Sequence, residues 1–201
     1  MNSCSAKVNK QQSLCQSCGL CCDGTLFSQA DLDSTGVGPS WPQIVVQSIS
    51  TGKSLPQPCA AFQRNLCVIY PSRPSVCQKF RCKLLKQYTS GKVSFDAALS
   101  VIGKTKSIKM AYLSAISEVI PADSYAAPSA LFRQFKSSFQ DEFDSRDFKR
   151  AHSKILLLYA RLRYELKDKF RQPKPKSGSA EHAGEKPEHT TQAMSSSISK
   201  S

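Results

Sequence analysis

The chain has 201 residues, of which 40% are hydrophobic and 21% are charged, so its composition excludes wholesale disorder. Lysine and arginine outnumber aspartate and glutamate by 28 to 15, and this net charge of +13 permits a polyanionic partner. No run of eighteen apolar residues occurs, which excludes a transmembrane helix. Residues 1–12 are polar and predict a flexible N-terminus without a signal peptide, so we expect a cytoplasmic protein.

The cysteines are confined to one part of the chain. All nine lie within the first 82 residues. Because their number is odd and no export signal is visible, clustered thiols favour metal binding over disulfides. Cys4 stands apart in the polar N-terminus and is expected to be a spare thiol. Residues 13–90 are therefore predicted to be a cysteine-cluster metal-binding module.

The first group of four cysteines reads CQSCGLCC at residues 15–22. A C-x2-C turn brings two sulfurs to one metal, and Gly19 gives the backbone the freedom that this turn needs. The run C-x2-C-x2-C also opens the bacterial type of iron–sulfur ligation, although the usual continuation to Cys-Pro is missing. Since adjacent side chains point in different directions, Cys21 and Cys22 are expected to belong to different mononuclear sites.

The segment that links the two groups of cysteines carries weaker signals. Residues 28–31 fit a capping box and predict a short helix that ends at Gly36 and Gly38. Residues 44–46 are a short apolar run and predict a strand. Trp41, the only tryptophan, is expected to form a hydrophobic lid over the metal site.

The second group consists of Cys59, Cys67, Cys77 and Cys82. On one continuous helix, Cys77 and Cys82 would lie about 140° apart and could not both reach one metal. Ser72 and the Arg73-Pro74 pair indicate a helix start. A short helix from there to about Lys79 would carry Cys77 and leave Cys82 just beyond it. Basic side chains that would favour thiolate flank the group, namely Arg64, Arg73, Lys79, Arg81 and Lys83.

Spacing alone leaves the partition of the eight cysteines open. They could form two zinc sites, one four-iron cluster with one zinc site, or one cluster with four supporting thiols. If a single cluster forms, its expected ligands are Cys15, Cys18 and Cys21, with a fourth from the second group. The predicted metal ligands are Cys15, Cys18, Cys21, Cys22, Cys59, Cys67, Cys77 and Cys82.

The whole cysteine pattern of residues 13–85 resembles a known family. After the first group and Cys59 comes C-x-I-Y-x2-R-P-x2-C-x2-F-x-C, which begins at Cys67. These motifs are similar to those of the YkgJ-type cysteine-cluster family, a CxxCxxCC type of zinc- or iron-chelating domain. The resemblance implies a metal-binding protein that chelates zinc or iron. It also brings in the flagellin lysine N-methylases, whose cysteine cluster is similar and whose chains are longer.

The rest of the chain predicts helices and a tail. Apolar residues recur at helical spacing over residues 93–120, 128–143 and 145–170, with Pro121 as a stop signal. His152 is expected to be a surface or core residue rather than a ligand. Residues 171–201 are poor in apolar residues and predict a disordered tail. We expect a mainly α protein, in which a small irregular metal-stabilised cysteine module packs against about three helices at residues 91–170.

Three classes of function fit these observations, and no catalytic residue is identified. The favoured one is a zinc- or iron–sulfur-binding protein of undefined activity that acts through a protein partner. The second is an iron–sulfur enzyme or redox protein, including one related to protein lysine N-methylation. The third is a zinc-knuckle nucleic-acid binder, against which aromatic residues are not interleaved with the basic ones. Metal is expected to be needed for residues 13–85 to fold, since this stretch has too little apolar content.

Overall fold

The computed structural model describes residues 10–32, 41–47, 49, 54–121 and 126–172. This part of the chain is mainly helical, as predicted. The α-helices are α1 (Lys10–Cys18), α2 (Gln43–Gln47), α3 (Ser75–Lys79), α4 (Lys83–Thr89), α5 (Phe95–Ser117), α6 (Pro128–Ser138), α7 (Arg146–Ala151) and α8 (Ser153–Glu165). A 3-10 turn at Tyr70–Ser72 precedes α3, and a π-helical turn at Leu166–Phe170 follows α8. Within these residues, no helix combines the length and hydropathy that a membrane crossing requires.

Among the described residues, four short strands form two antiparallel pairs. They are β1 (Gln29–Asp31), β2 (Ser54–Pro56), β3 (Phe62–Gln63) and β4 (Leu66–Cys67). Strand β1 pairs with β2, so that Ala30 lies opposite Leu55. Strands β3 and β4 form a hairpin whose two turn residues, Arg64 and Asn65, both have positive φ (49° and 63°). Positive φ at both positions is typical of a two-residue turn whose twist matches that of the paired strands.

Two predictions for the linking segment are wrong. Residues 29–31 form β1 and not a helix, because pairing with β2, more than twenty residues away, satisfies backbone groups that one isolated helical turn leaves open. Residues 44–46 lie in α2 and not in a strand: the amides of Val45 and Val46 donate to the Pro42 carbonyl, at 2.9 and 3.2 Å. A short apolar run does not by itself distinguish the two structures. The stop residues Gly36 and Gly38 lie outside the described residues.

The helices after residue 90 pack around α5. This helix begins at Ser94, whose hydroxyl accepts a hydrogen bond from the Ala97 amide, and it continues through Gly103. Helix α8 packs along α5, and α6 also contacts α5. The third predicted helix is divided at His152 into α7 and α8. Fully buried residues of this main core include Tyr112, Ile116, Leu131, Phe135, Leu162 and Phe170.

The cysteine-containing segment contributes to two cores. Helices α1 and α4 lie on α5, and Leu14, Leu20, Leu26, Leu84 and Leu85 join the main core. A second, smaller core is formed by Trp41, Val45, Leu55, Cys59, Ala61 and Ile69. At the other end of the described chain, Arg171 donates to the Leu26 carbonyl (3.3 Å), and Gln172 donates to the Arg81 carbonyl (2.8 Å). The domain boundary at residue 90 stays a prediction, and residues 173–201 of the predicted tail lie outside the described residues.

Candidate metal centre

Helix α1 carries Cys15 and Cys18, and the turn after it places Cys21 and Cys22. Helix α1 ends at Cys18, and Gly19 turns the chain with φ of +67°. The Gly19 amide donates to the Cys15 carbonyl (3.1 Å), and the Cys22 amide donates to the Gly19 carbonyl (2.8 Å). A Cβ atom on residue 19 would collide with the Phe62 ring. Glycine is therefore required here both by the positive φ and by the close approach of the ring.

The segment around Cys77 and Cys82 follows the prediction from its spacing. Helix α3 begins after Pro74, carries Cys77 and ends at Lys79. Cys82 lies beyond it as the N-cap of α4, where its Sγ accepts a hydrogen bond from the Leu85 amide at 3.4 Å. Because the chain leaves the helix between them, Cys82 packs against the main core, whereas Cys77 lies near Cys59 and Cys67.

Four thiols, which we call the first thiol group, act on one another's charge. They are Cys15, Cys18, Cys21 and Cys82. Burial raises the pKa of the Cys18 thiol to about 12, and nearby Cys82 and Cys15 contribute to the increase. Burial also raises the pKa of the Cys15 thiol, with Cys82 adding to it. Burial raises the pKa of Cys21 well above its usual range, and the adjacent Cys22 adds to this increase together with Cys18, Cys82 and Cys15. All four side chains pack against the main core.

The remaining four thiols form the second thiol group, which consists of Cys22, Cys59, Cys67 and Cys77. Burial raises the pKa of the Cys22 thiol, and the other three members raise it further. Burial raises the pKa of the Cys77 thiol to about 11, with contributions from Cys59 and Cys67. The Cys59 amide donates to the Cys22 carbonyl at 2.7 Å. Cys59 belongs to the second core, and Cys22 and Cys67 pack against it.

Both groups border one cavity of about 380 Å³, which is lined by all eight cysteines. Arg73 also lines it, and its guanidinium lowers the pKa of Cys15 in the first group and of Cys67 and Cys77 in the second, against the larger effect of burial. The Arg73 guanidinium stacks over the Tyr70 ring, 3.9 Å from the ring centre.

The other predicted cations differ in their roles. Arg81 lowers the pKa of Cys15. Arg64 lies in the β3–β4 turn, where it is exposed, and Lys83 pairs with Asp168 at 3.7 Å. Of the five flanking cations, Arg73 and Arg81 are the two that lower the pKa of a thiol.

The donor set suits a soft metal. All eight described cysteines are free thiols, and thiolate sulfur is the preferred ligand of zinc and of iron–sulfur clusters. As the side chains stand, no three His, Cys, Asp or Glu residues in the described part of the chain are placed to hold a metal ion together. The two groups are thus defined by mutual charge effects and by burial, and Cys4 lies outside the described residues.

Two side chains near the thiols, Trp41 and Asp23, and one among the C-terminal helices, His152, make contacts that the cysteine spacing does not reveal. Trp41 is buried in the second core and donates to the Ser72 carbonyl (2.8 Å), so it supports the second thiol group and does not line the cavity; the predicted lid is wrong. Asp23, next to Cys22, forms a largely buried ion pair with Lys109 of α5 at 2.7 Å. These two partners are 86 residues apart, so no local signal joins them. His152 packs against the Phe148 ring, 4.3 Å between ring centres, among the C-terminal helices.

Comparison with known proteins agrees with the resemblance that the cysteine pattern carries. Residues 14–94 match the model of the CxxCxxCC family, described as "Putative zinc- or iron-chelating domain". The matched segment contains both thiol groups and ends immediately before α5. No curated protein and no solved structure matches the chain. The family resemblance is confirmed, and the family's description names two metals and no reaction.

Proposed function

We propose that this protein binds zinc or iron at two neighbouring four-thiol sites, one in each thiol group. The first site would use Cys15, Cys18, Cys21 and Cys82, and the second would use Cys22, Cys59, Cys67 and Cys77. The observation that carries the proposal is the division of eight thiols into two sets of four along one cavity. Four thiolates complete the coordination of a structural zinc ion or of a cluster.

Two independent properties support this division. Mutual charge effects link members within each set, and the one effect among the described thiols that crosses between the sets joins the chain neighbours Cys21 and Cys22. Burial assigns the first set to the main core and Cys22, Cys59 and Cys67 to the second core. Cys77 is assigned by charge alone. Cys21 and Cys22 fall in different sets, so neither metal would have to be bound by two adjacent residues. The pattern also joins Cys82 to the CxxCxxC run as its fourth thiol.

The surroundings of the thiols indicate how binding would proceed. Burial keeps the metal-free thiols protonated, so a metal must displace protons, and affinity should rise with pH. Arg73 offsets part of the negative charge of both thiolate sets. Binding also requires the thiols of each set to move closer than the structure has them. A bound zinc ion would supply a cross-link between chain segments, whereas an iron–sulfur cluster would supply a redox centre.

A second candidate is an iron–sulfur enzyme or redox protein. The observation in its favour is the cavity itself, which is bordered by apolar and aromatic residues as well as thiols, including Phe27, Phe62 and Phe80. Its volume of about 380 Å³ falls within the range of small-molecule pockets. A metal with purely structural ligands does not require such space beside it.

The test is metal analysis of the full chain purified without oxygen, with sulfide analysis and an absorption spectrum. Two zinc ions per chain would support a chelator with two mononuclear sites. About four iron and four sulfide at one site, with broad visible absorption, would favour the second candidate.

Variants then test the division itself. Cys18→Ser should remove the metal of the first site alone, Cys77→Ser that of the second alone, and Cys4→Ser should remove neither. Loss of all metal from both Cys18→Ser and Cys77→Ser, in chains that remain folded, would contradict two separate sites.

A further inference from the structure

A second cavity lies beside the thiol cavity, on the face where the segment after the CxxCxxCC run meets α6 and α8. Its volume is about 490 Å³. Three arginines from distant parts of the sequence border it: Arg133 of α6, Arg163 of α8, and Arg171 just after the π-helical turn. No acidic side chain is among the described residues that line it. We call it the arginine cavity.

The three arginines are solvent-exposed, and none of them forms an ion pair with a described carboxylate. Arg171 donates one hydrogen bond to the Leu26 carbonyl (3.3 Å), which holds it at the cavity and leaves further N–H donors. Arg163 lies over the Tyr159 ring at 5.9 Å. Since like charges repel, three unpaired cations around one cavity indicate an anionic ligand.

The remaining lining favours an organic anion over a simple one. Phe27, Phe80 and Tyr159 present aromatic surface to the cavity, and Leu162 and Leu166 present aliphatic surface. Phe27 is 37% exposed, although it is a large apolar residue. A cavity of this size matches those that hold small molecules rather than single ions. Guanidinium groups suit phosphate because their paired N–H donors match two oxygens at once.

We propose that the arginine cavity binds a small organic phosphate. The phosphate would contact Arg133, Arg163 and Arg171, and the organic part would lie against Phe27 and Phe80. These two rings meet edge to face, 5.0 Å between centres, and both also border the thiol cavity. The ligand would therefore lie on the other side of a single aromatic wall from the thiols. This inference does not depend on the proposed metal sites.

The test is a titration of the full chain, as purified, with phenyl phosphate, inorganic phosphate and phenol, followed by calorimetry. Phenyl phosphate should bind more tightly than either fragment. Arg133→Gln and Arg163→Gln should each weaken its binding about tenfold, the effect of losing a hydrogen bond between charged groups. The matched control is Arg161→Gln, because Arg161 is an exposed arginine of α8 like Arg163, two residues away, but does not line the cavity.

Three outcomes would overturn the proposal. The first is an absence of binding by phenyl phosphate. The second is inorganic phosphate binding as tightly as phenyl phosphate, which would leave no role for the aromatic lining. The third is equal weakening by Arg161→Gln, which would show that overall positive charge, and not the cavity, attracts the anion. Far-UV circular dichroism of each variant checks that the helices are retained.

Discussion

The two thiol groups contain the same four donors but have unequal support from the rest of the protein. The first group lies on the main core, where α1 and α4 pack against the long helix α5. The second group lies on a small core, with six buried residues in the described part of the chain, and on strands of two or three residues. Short strand pairs are marginally stable alone. Two sites with the same ligands can therefore differ in how far their folding depends on metal. We expect the segments that carry the second group to need metal for folding, and those that carry the first group to keep their structure without it.

Metal removal should have the largest effect and should act unequally. With a chelator, amides of the β3–β4 hairpin and its flanks that are hydrogen-bonded beside the second core, such as those of Phe62 and Val68, should lose hydrogen-exchange protection, while those in the middle of α5 keep theirs. Amides of α1 should lose less protection than those of the β3–β4 hairpin. Hydrogen exchange with mass spectrometry measures all three regions in one experiment. Equal loss in α1 and the hairpin would remove the proposed difference between the groups.

Gly19→Ala should disrupt the close contact between Gly19, in the turn after α1, and the Phe62 ring, which packs against the second core. The new Cβ would meet the Phe62 ring and would also hold a positive φ, so we expect a loss of about 3 kcal/mol in the free energy of unfolding. Chemical denaturation of the metal-loaded protein measures it. The matched control is Gly103→Ala in α5, where no described atom lies within 4 Å of the added Cβ. This control should stabilise the protein by about 0.5–1 kcal/mol. Similar behaviour of the two variants would argue against a special role for Gly19.

Asp23→Asn should weaken the attachment to α5 of the segment that follows the CxxCxxCC run. Asp23 and Lys109 are largely buried, with side chains 18% and 16% exposed, and losing one partner leaves the other charge without compensation. We expect a loss of about 2 kcal/mol, between the values for exposed and fully buried pairs. Lys149→Met, which breaks an exposed pair with Asp144, is the control and should cost less than about 1 kcal/mol. Thermal unfolding of both variants distinguishes them, and an equal effect would contradict this interpretation.

Tyr112 should report on the main core alone and give the smallest effect. Burial raises the pKa of its hydroxyl, which donates to the Pro128 carbonyl at 3.2 Å. The folded chain therefore holds the proton more tightly than the unfolded chain. This stability is fully present below the ordinary pKa of 10.0 and is lost as the pH rises above it.

Tyr112→Phe should remove the part of the alkaline destabilisation due to this group and cost about 1 kcal/mol at neutral pH. Denaturation at neutral pH and above pH 10 tests both effects. An unchanged alkaline loss of stability in the variant would assign that loss to other groups.

The sequence predicted those features that depend on neighbouring residues. Pro74 starts α3 and the chain leaves the helix before Cys82, so the separation of Cys77 from Cys82 followed from local spacing. The prediction of helices after residue 90 was correct, because apolar residues in long amphipathic segments recur with the period of a helix. The division of the third helix at His152 was not visible in that period.

The features that were missed depend on distant partners. Strand β1 exists because β2 lies beside it, and the apolar run of α2 fits either a helix or a strand until the second core forms. The thiol groups could not be assigned from spacing, because Cys82 joins the first group through the packing of α4 on α5. The arginine cavity likewise gathers side chains from α6, α8 and the π-helical turn.

Cys21 and Cys22 are joined by one peptide bond, yet Cys21 packs against the main core and Cys22 packs against the second core. Fixing Cys21 in a bound metal site would also fix the backbone through which Cys22 is oriented. The entropy of ordering that backbone is then lost only once, and the second binding event starts from a smaller penalty. Occupancy of the two sites should therefore be positively cooperative, with the better supported first site filled before the second.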